Sequence, residues 1–303
     1  MLLASGPFIV ELGGPRWSAR SRSPRYADPS CCCVTLTSFS LFGSTTPVSL
    51  ALDCSGLPAG VARVAQSLAA SAGAQAVVLA GSRASTDVDA GSDWDLTVYY
   101  RGALDPTPLA AFGDVHAPGS WGRVMNGGAW LTVDGLAVDV MLRDLAVVEH
   151  WAAEACLGSY ELDALLGYLA GLPTYVLMAE LASGRVLAGE LPAVAEMPPA
   201  LVSGAPPRWR FARDFSLEYA RMHAARGNAV GATGHAAKAV LEEAHARLCE
   251  RGQWVLNEKR MVNAAGLEAA QPLFLAPPRT TTDLACWIDA LAECLSAQRR
   301  ATA

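Results

Sequence analysis

The sequence predicts an α+β fold, in which a small mixed-sheet domain is followed by a C-terminal helical domain. Three observations lead to this prediction. Short apolar runs of strand character lie between residues 76 and 141, an Asp134-Gly135 pair separates two of them, and helical spacing of apolar residues dominates after Asp144. An Asp-Gly pair between two apolar runs is a strong signal for a β-hairpin. A chain of 303 residues is long enough for two domains, each with a core of its own.

The predicted domain boundaries follow changes in composition. Residues 1–50 combine Arg, Ser and Pro with three consecutive cysteines and keep no helical or strand period, so we interpret them as a disordered extension. Residues 51–150 are the predicted sheet domain and residues 151–303 the predicted helical domain. Residues 190–207 are rich in Pro and Ala and are interpreted as a connection.

Elements of the sheet domain are predicted from apolar spacing. A helix is expected between residues 57 and 72, where apolar residues recur every three or four positions and Gly73 follows. Strands are expected where short apolar or β-branched runs occur. The predicted strands cover residues 76–80, 93–100, 130–133 and 136–141.

Helical spacing of apolar residues is predicted to begin after Asp144, which has the side chain of a helix N-cap. Further helices are expected near residues 208–226, 233–251 and 283–299. The most apolar long stretch, Leu165–Leu187, is interrupted by Pro173, Glu180 and Arg185. It is too broken for a membrane span and is interpreted as buried helix and turn.

Composition limits the classes of partner. The chain is 52% hydrophobic and 17% charged, which is typical of a compact protein, and its formal net charge is −6. An acidic chain is a poor candidate for non-specific nucleic-acid binding and favours a cationic small molecule. Its eight cysteines form no CxxC pair, which argues against zinc. With no secretory signal recognised, reduced thiols in the cytoplasm are the expectation.

The first feature that indicates chemistry is Gly81-Ser82, directly after a predicted buried strand. Glycine lets the backbone approach a phosphate closely, and exposed amides together with the Ser hydroxyl can donate to its oxygens. The same pair is also typical of an ordinary turn. By itself it is therefore a weak indication of phosphate binding, and it becomes informative only in combination with nearby carboxylates.

The second feature is the pair Asp93 and Asp95, two positions apart on a predicted strand. The period of two places both carboxylates on one face, and their burial is costly unless a cation compensates them. Hard Mg²⁺ prefers such oxygen ligands. The alternative is an exposed strand end on which Asp93 acts as a cap.

The third feature is Asp139, a single carboxylate within the apolar run Val138–Met141. A charge at the centre of such a strand is unusual unless it faces a site. If this strand lies beside the one that carries Asp95, three carboxylates converge. Such a set can hold two metal ions, activate an attacking hydroxyl and stabilise a leaving pyrophosphate.

Together these segments resemble the DNA polymerase β-type nucleotidyltransferase superfamily, in particular the small bacterial members that include aminoglycoside nucleotidyltransferases. The matching segments are residues 81–84 (Gly-Ser-Arg-Ala), residues 92–96 (Ser-Asp-Trp-Asp-Leu) and residues 138–140 (Val-Asp-Val). The resemblance covers about residues 76–142, and the helical half is compatible with the C-terminal domain of that group. One departure is Ser85-Thr86, where the family often has glycine.

The resemblance implies roles for these residues. Gly81 and Ser82 would hold the triphosphate of a nucleoside triphosphate, by default ATP. Asp93 and Asp95 would bind Mg²⁺, with two ions expected. Asp139 would complete the metal site or act as the general base.

Other residues are weaker candidates. Arg83 could reach a phosphate or pair with an acidic residue of the following loop. Lys238 could project toward the triphosphate or lie on a solvated helix face. Residues 257–260 (Asn-Glu-Lys-Arg) could line an acceptor pocket or form a surface turn. Glu149 is an alternative to Asp139 as general base.

The leading functional hypothesis is Mg²⁺-dependent transfer of a nucleoside monophosphate to a hydroxyl of a small molecule, with release of pyrophosphate. One alternative is a nucleotidyltransferase that modifies tRNA or a protein, although the acidic charge disfavours tRNA. Another is a non-catalytic nucleotide-binding module, which the complete set of three carboxylates disfavours. Neither the acceptor nor the oligomeric state can be predicted from the sequence.

Overall fold

A computed structural model describes residues 50–84, 91–194, 196–276, 278 and 280–297. The predicted extension therefore falls outside the described residues, apart from Leu50. Ser85-Thr86, the departure from the family pattern, also lies outside them. Within the described part the chain is an α+β protein with a mixed sheet and a helical C-terminal region, which confirms the predicted class.

Strands and helices alternate at first, and helices then dominate. The described strands are β1 (Ala74–Ala80), β2 (Trp94–Tyr100), β3 (Gly113–His116), β4 (Gly127–Val133), β5 (Leu136–Asp144), β6 (Leu162–Asp163), β7 (Leu172–Pro173) and β8 (Arg185–Gly189). The described helices are α1 (Ala59–Ala69), α2 (Gly122–Met125), α3 (Leu145–Cys156), α4 (Val176–Ser183), α5 (Pro199–Ala225), α6 (Ala229–Glu250), α7 (Met261–Ala264), α8 (Gln271–Leu275) and α9 (Thr281–Ala297).

Six of the strands form one sheet in the order β3–β4–β5–β2–β1–β8. β2 and β5 are parallel, and the other neighbouring pairs are antiparallel. Because β1 runs against β2, the end of β1 lies beside the start of β2. The loop that follows β1 and the first residues of β2 and β5 therefore share one edge of the sheet.

The hairpin between β4 and β5 follows the prediction from Asp134-Gly135. Both turn residues have positive φ, 52° for Asp134 and 77° for Gly135. A two-residue turn of type I′ requires positive φ at both central positions, which Asp and Gly tolerate better than most residues. The turn fixes the register in which Trp130 pairs with Asp139.

The two faces of the sheet are covered differently. Along β5, Val138, Val140 and Leu142 are buried in a core that also contains the apolar face of α1. The alternate residues of β5 point to the opposite face. That face is covered near Tyr99 by side chains of α3 and α4. At its other end, Asp95 and Asp139 are only partly buried.

A buried ion pair joins α4 to the covered end of this face. Arg143 of β5 donates from Nε and Nη2 to the carboxylate of Glu180, both at 2.7 Å. Its Nη1 donates to the carbonyl of Met125 at 2.8 Å. Arg143 is 1% exposed, so nearly all of its charge is compensated by these contacts rather than by water.

Residues 190–207 are not a simple connection, in contrast to the prediction from their composition. α5 already begins at Pro199 and contains Pro206 and Pro207. Proline is usually a signal for a helix end because it lacks the backbone donor. Here Leu201 and Trp209 are fully buried in a core shared with α6, and this packing outweighs the local signal.

The stretch Leu165–Leu187 contains β7, α4 and the first part of β8. The buried helix α4 agrees with the prediction, whereas the sequence did not predict strand β8. β8 pairs with β1 at the edge of the main sheet. No helix in the described part of the chain has the length and apolar character needed to cross a membrane.

Candidate functional site

Asp95 and Asp139 face each other across two neighbouring parallel strands. In the register of β2 and β5, Asp95 is the partner of Asp139. Neighbouring strands lie about 4.8 Å apart, and paired residues point to the same face. The two carboxylates are therefore immediate neighbours at the less covered end of the sheet.

Gly81 brings the loop after β1 against the carboxylate of Asp95. Its φ is +64°, a conformation that L side chains rarely adopt. A Cβ at this position would lie 1.8 Å from Oδ2 of Asp95. Glycine is thus required both by the backbone conformation and by the neighbouring carboxylate. Ser82 follows directly and opens a short 3-10 turn at the same edge.

Asp93 is exposed and lies just before the first residue of β2. Its charge raises the pKa of both other carboxyl groups, so it lies close to them. Burial first, and then the charges of Asp139 and Asp93, raise the pKa of Asp95 to about 6. Burial and the charge of Asp93 also raise the pKa of Asp139. A cation near these carboxylates would favour the ionised forms of Asp95 and Asp139.

The carboxylates at this edge suit Mg²⁺ bound by one or two protein ligands, not Mg²⁺ enclosed entirely by protein ligands. Within the described residues, no three His, Cys, Asp or Glu side chains are arranged to hold a metal ion as they stand. Mg²⁺ keeps several waters and is usually held by one or two carboxylates together with substrate phosphates. Asp95 supplies one such carboxylate, and Asp93 and Asp139 lie beside it as candidates for the second.

Arg83 supports the loop that carries Asp93. Its Nε donates to the carbonyl oxygen of Ser92 at 2.9 Å and to that of Asp93 at 3.2 Å. Its guanidinium lies 4.3 Å from the ring centroid of Trp94, a cation–π contact. The acidic loop residues that were its alternative partners lie outside the described residues. Phosphate binding by Arg83 stays a prediction.

Lys238 and Lys259 are placed differently from what the sequence suggested. The ammonium of Lys238 lies 3.7 Å from Oε1 of the buried Glu242, one turn further along α6. The lysine whose charge lowers the pKa of Asp95 and Asp139 is Lys259, in the loop before α7. The structure therefore does not bring Lys238 to the carboxylates, and its nucleotide-binding role stays a prediction without support. The sequence indicates residues 257–260 only as a pocket wall or a surface turn.

Glu149 lies at the wrong end of the sheet to be the general base. It forms a two-pronged ion pair with Arg101, which directly follows the last residue of β2. Arg101 lies six positions after Asp95, a distance of about 20 Å along an extended strand. Of the two candidate bases, only Asp139 lies at the site.

A cavity of about 430 Å³ lies beside Lys259. Its walls include Val240 and Leu241 of α6 and Phe274 of α8. Lys259 and Arg260 line it together with the polar side chains of Asn263 and Gln271. The cavity combines an aromatic ring, hydrogen-bonding groups and the positive charge of Lys259, which also acts on the carboxylates of Asp95 and Asp139. Those features suit a nucleoside or another ring compound attached to phosphate.

Comparison with known proteins gives a weak structural likeness. No protein-family model matches the sequence, and a search of curated proteins returned no significant relative. Among solved structures, the chain is similar to a nucleotidyltransferase-like protein from Exiguobacterium sibiricum 255-15, at 14% identity and a TM-score of 0.40. The similarity covers 79% of this chain and 74% of that one. A TM-score of this size carries no argument about function.

Proposed function

We propose that this chain is a nucleotidyltransferase. It would transfer a nucleoside monophosphate from a nucleoside triphosphate to a hydroxyl of a small molecule and release pyrophosphate. The observation that supports this most is the register that pairs Asp95 with Asp139, with Gly81 packed against Asp95. A glycine turn and neighbouring carboxylates at one sheet edge are features that phosphoryl chemistry with Mg²⁺ uses.

In this proposal the phosphates lie against Gly81 and Ser82, and Lys259 adds positive charge from the other side. Mg²⁺, held by Asp95 and Asp93, would supply neutralisation of the phosphate charge, and Asp139 would then serve as the base. The cavity beside Lys259 gives room for the nucleoside. ATP is the first nucleotide to test, on the strength of the sequence resemblance.

The transfer itself would use Asp139 as the base. The acceptor oxygen forms a bond to the α-phosphorus while the bond from that phosphorus to the bridging oxygen breaks, and pyrophosphate leaves. The hydroxyl proton passes to a carboxylate oxygen of Asp139. Asp139 is suited to this role by its position, because it is the register partner of Asp95 on the neighbouring strand.

Mass spectrometry tests the proposal. Purified protein is incubated with Mg²⁺, each of the four NTPs, and pools of aminoglycosides, other small hydroxyl compounds, tRNA or cell lysate. We expect an adduct heavier by one nucleotidyl group in a small-molecule pool. An adduct on tRNA or protein would support nucleotidyltransferase activity but contradict the proposal that the acceptor is a small molecule.

Two variants control this experiment. Asp95→Asn removes a proposed ligand and should abolish the adduct. Glu218→Gln replaces an exposed carboxylate on α5 and should leave the adduct in place. If the wild type consumes no NTP under any of these conditions, the proposal is rejected in favour of a binding function.

A further inference from the structure

Three aromatic side chains continue the row of carboxylates across the sheet. β4 lies next to β5, and Trp130 of β4 is the register partner of Asp139. Paired residues share a face, so the indole of Trp130 lies on the same face as Asp95 and Asp139. Trp130 is 52% exposed, although its neighbours Ala129 and Leu131 are buried on the other face.

Trp130 belongs to a cluster with Trp121 and His116, which we call the aromatic platform. The ring centroids of Trp121 and Trp130 are 5.1 Å apart, and their planes differ by 31°. His116 of β3 lies 4.6 Å from the ring of Trp130 and 5.0 Å from that of Trp121. The three rings support one another and leave part of Trp130 open to solvent.

The position of Trp121 is fixed by its surroundings. Its ring lies over Gly128 of β4, where an added Cβ would come within 2.4 Å of it. Its backbone amide donates to the carbonyl of Asn126 at 3.0 Å. The side-chain oxygen of Asn126 in turn accepts from the amide of Gly119 at 2.8 Å. The platform is therefore held in place before anything binds to it.

Strand order places the platform on the acceptor side of the site. Moving across the sheet, the loop of Gly81 follows β1, Asp95 lies on β2, Asp139 on β5 and Trp130 on β4. In phosphoryl transfer the attacking and leaving oxygens lie roughly in line on opposite sides of phosphorus. If the leaving phosphates lie at Gly81, the attacking hydroxyl comes from the side of Asp139 and Trp130.

We propose that the aromatic platform binds the acceptor by stacking a flat ring against Trp130. This inference rests on the proposed function, because it needs phosphates at Gly81. The acceptor class is a ring alcohol whose ring has a flat face. Neighbouring strands are about 4.8 Å apart, so a ring stacked on Trp130 reaches Asp139 with a hydroxyl on the ring or one carbon from it.

Two classes of ring have such a flat face: aromatic ring systems, and sugar rings, which present C–H groups on one side. Benzyl alcohol and methyl α-D-glucopyranoside serve as probes for these two sources, because neither is a nucleoside. Saturation-transfer NMR detects which ring protons of each probe lie against the full-length protein, without need for turnover. We expect saturation of the ring protons of at least one probe by the wild type.

The variants Trp130→Ala and Trp130→Phe separate stacking from structure. Trp130→Ala should weaken binding of that probe about tenfold, as expected for loss of an aromatic contact. Trp130→Phe keeps an aromatic ring and should retain most of the affinity for the probe. Phe211→Ala removes an aromatic side chain that is 73% exposed on α5, away from the sheet, and should change nothing.

Calorimetry of Mg–ATP binding distinguishes failure of this inference from failure of the proposed function. Mg–ATP should bind Trp130→Ala as it binds the wild type. If the wild type binds Mg–ATP but neither probe, or if Trp130→Ala keeps the affinity of the wild type for the probe, the platform is not the acceptor site. If the wild type binds none of the four NTPs in the presence of Mg²⁺, the proposed function fails and this inference with it.

Discussion

At the scale of single residues, the site depends on one glycine and one aspartate in contact. Gly81 has a backbone conformation that favours glycine, and its missing side chain makes room for the carboxylate of Asp95. Asp95 is partly buried beside two other carboxylates, which makes its ionised form costly. These two features are separate in sequence and can be tested separately.

Gly81→Ala should be more damaging than a glycine replacement that introduces backbone strain alone. A left-handed conformation costs an L residue roughly 1–2 kcal/mol. At position 81 the new Cβ also displaces the carboxylate of Asp95, so turnover should fall strongly as well. Gly102→Ala is the matched control, because Gly102 has φ +73° and nothing within 4 Å of its added Cβ.

Denaturant unfolding and NTP turnover of both variants give the comparison. In Gly102→Ala the unfolding free energy should fall by about the cost of the left-handed conformation, and NTP turnover should stay at the level of the wild type. Equal effects of the two replacements on turnover would show that the contact between Gly81 and Asp95 is irrelevant to the site.

Asp95→Asn should stabilise the metal-free protein while it removes activity. The folded protein raises the pKa of Asp95 to about 6 from an ordinary value of 3.8. The folded state therefore disfavours the ionised form of Asp95, which lowers the unfolding free energy. This loss of stability is fully present above about pH 6 and disappears as pH falls toward about 4. The variant should melt above the wild type at about pH 8, and the gap should close near pH 4. A lower melting temperature of the variant under the alkaline condition would contradict this account of Asp95.

At the scale of elements, local patterns predicted some parts well and others not at all. The β4–β5 hairpin followed from Asp134-Gly135, and α3 from its N-cap Asp144, whose side chain accepts from the amide of Ala146 at 2.9 Å. β8 was missed because it is short and its place beside β1 depends on distant pairing. The start of α5 was missed because buried packing outweighs its prolines.

The ion pair between β5 and α4 should be a major element-level contact. Glu180→Ala leaves the charge of the buried Arg143 without its partner and should lower the unfolding free energy by about 3–5 kcal/mol. Arg63→Ala breaks the exposed pair of Arg63 with Asp134 and should cost about 1 kcal/mol or less. Urea titrations of the two variants measure both values. A Glu180→Ala loss as small as that of Arg63→Ala would show that the buried pair does not hold α4.

At the scale of the whole molecule, the sequence predicted which carboxylates lie side by side better than it predicted which lysine acts on them. Asp95 and Asp139 were proposed neighbours because both interrupt apolar strands, a signal that lies within each strand. Lys259 was not singled out, because its approach to them depends on how the helical region packs on the sheet. Lys238 was chosen for its small neighbours, but its position on α6 pairs it with Glu242.

Acid should destabilise the helical region through His245. This residue is 2% exposed, is stacked on Trp209 at 4.2 Å, and burial lowers its pKa to about 3. The unfolded chain therefore binds a proton between about pH 6.5 and 3 that the folded chain does not, so stability falls as pH falls through this window.

His245→Phe keeps a ring on Trp209 and should lose this part of the pH dependence. His150→Gln, at an exposed position of α3, should keep it. Unfolding free energies measured from about pH 7 to 4 make the comparison. An unchanged slope in His245→Phe would show that another group causes the acid sensitivity.

The central claim is that the pair Asp95 and Asp139 forms a catalytic centre for nucleotidyl transfer. Its most direct test is pyrophosphate release by the wild type and by Asp139→Asn, with each NTP and the acceptor pools, at increasing Mg²⁺. We expect release that requires Mg²⁺ and falls by about 100-fold or more in the variant, as for loss of a general base. Release that is equal in both proteins, or absent from the wild type, would contradict the claim.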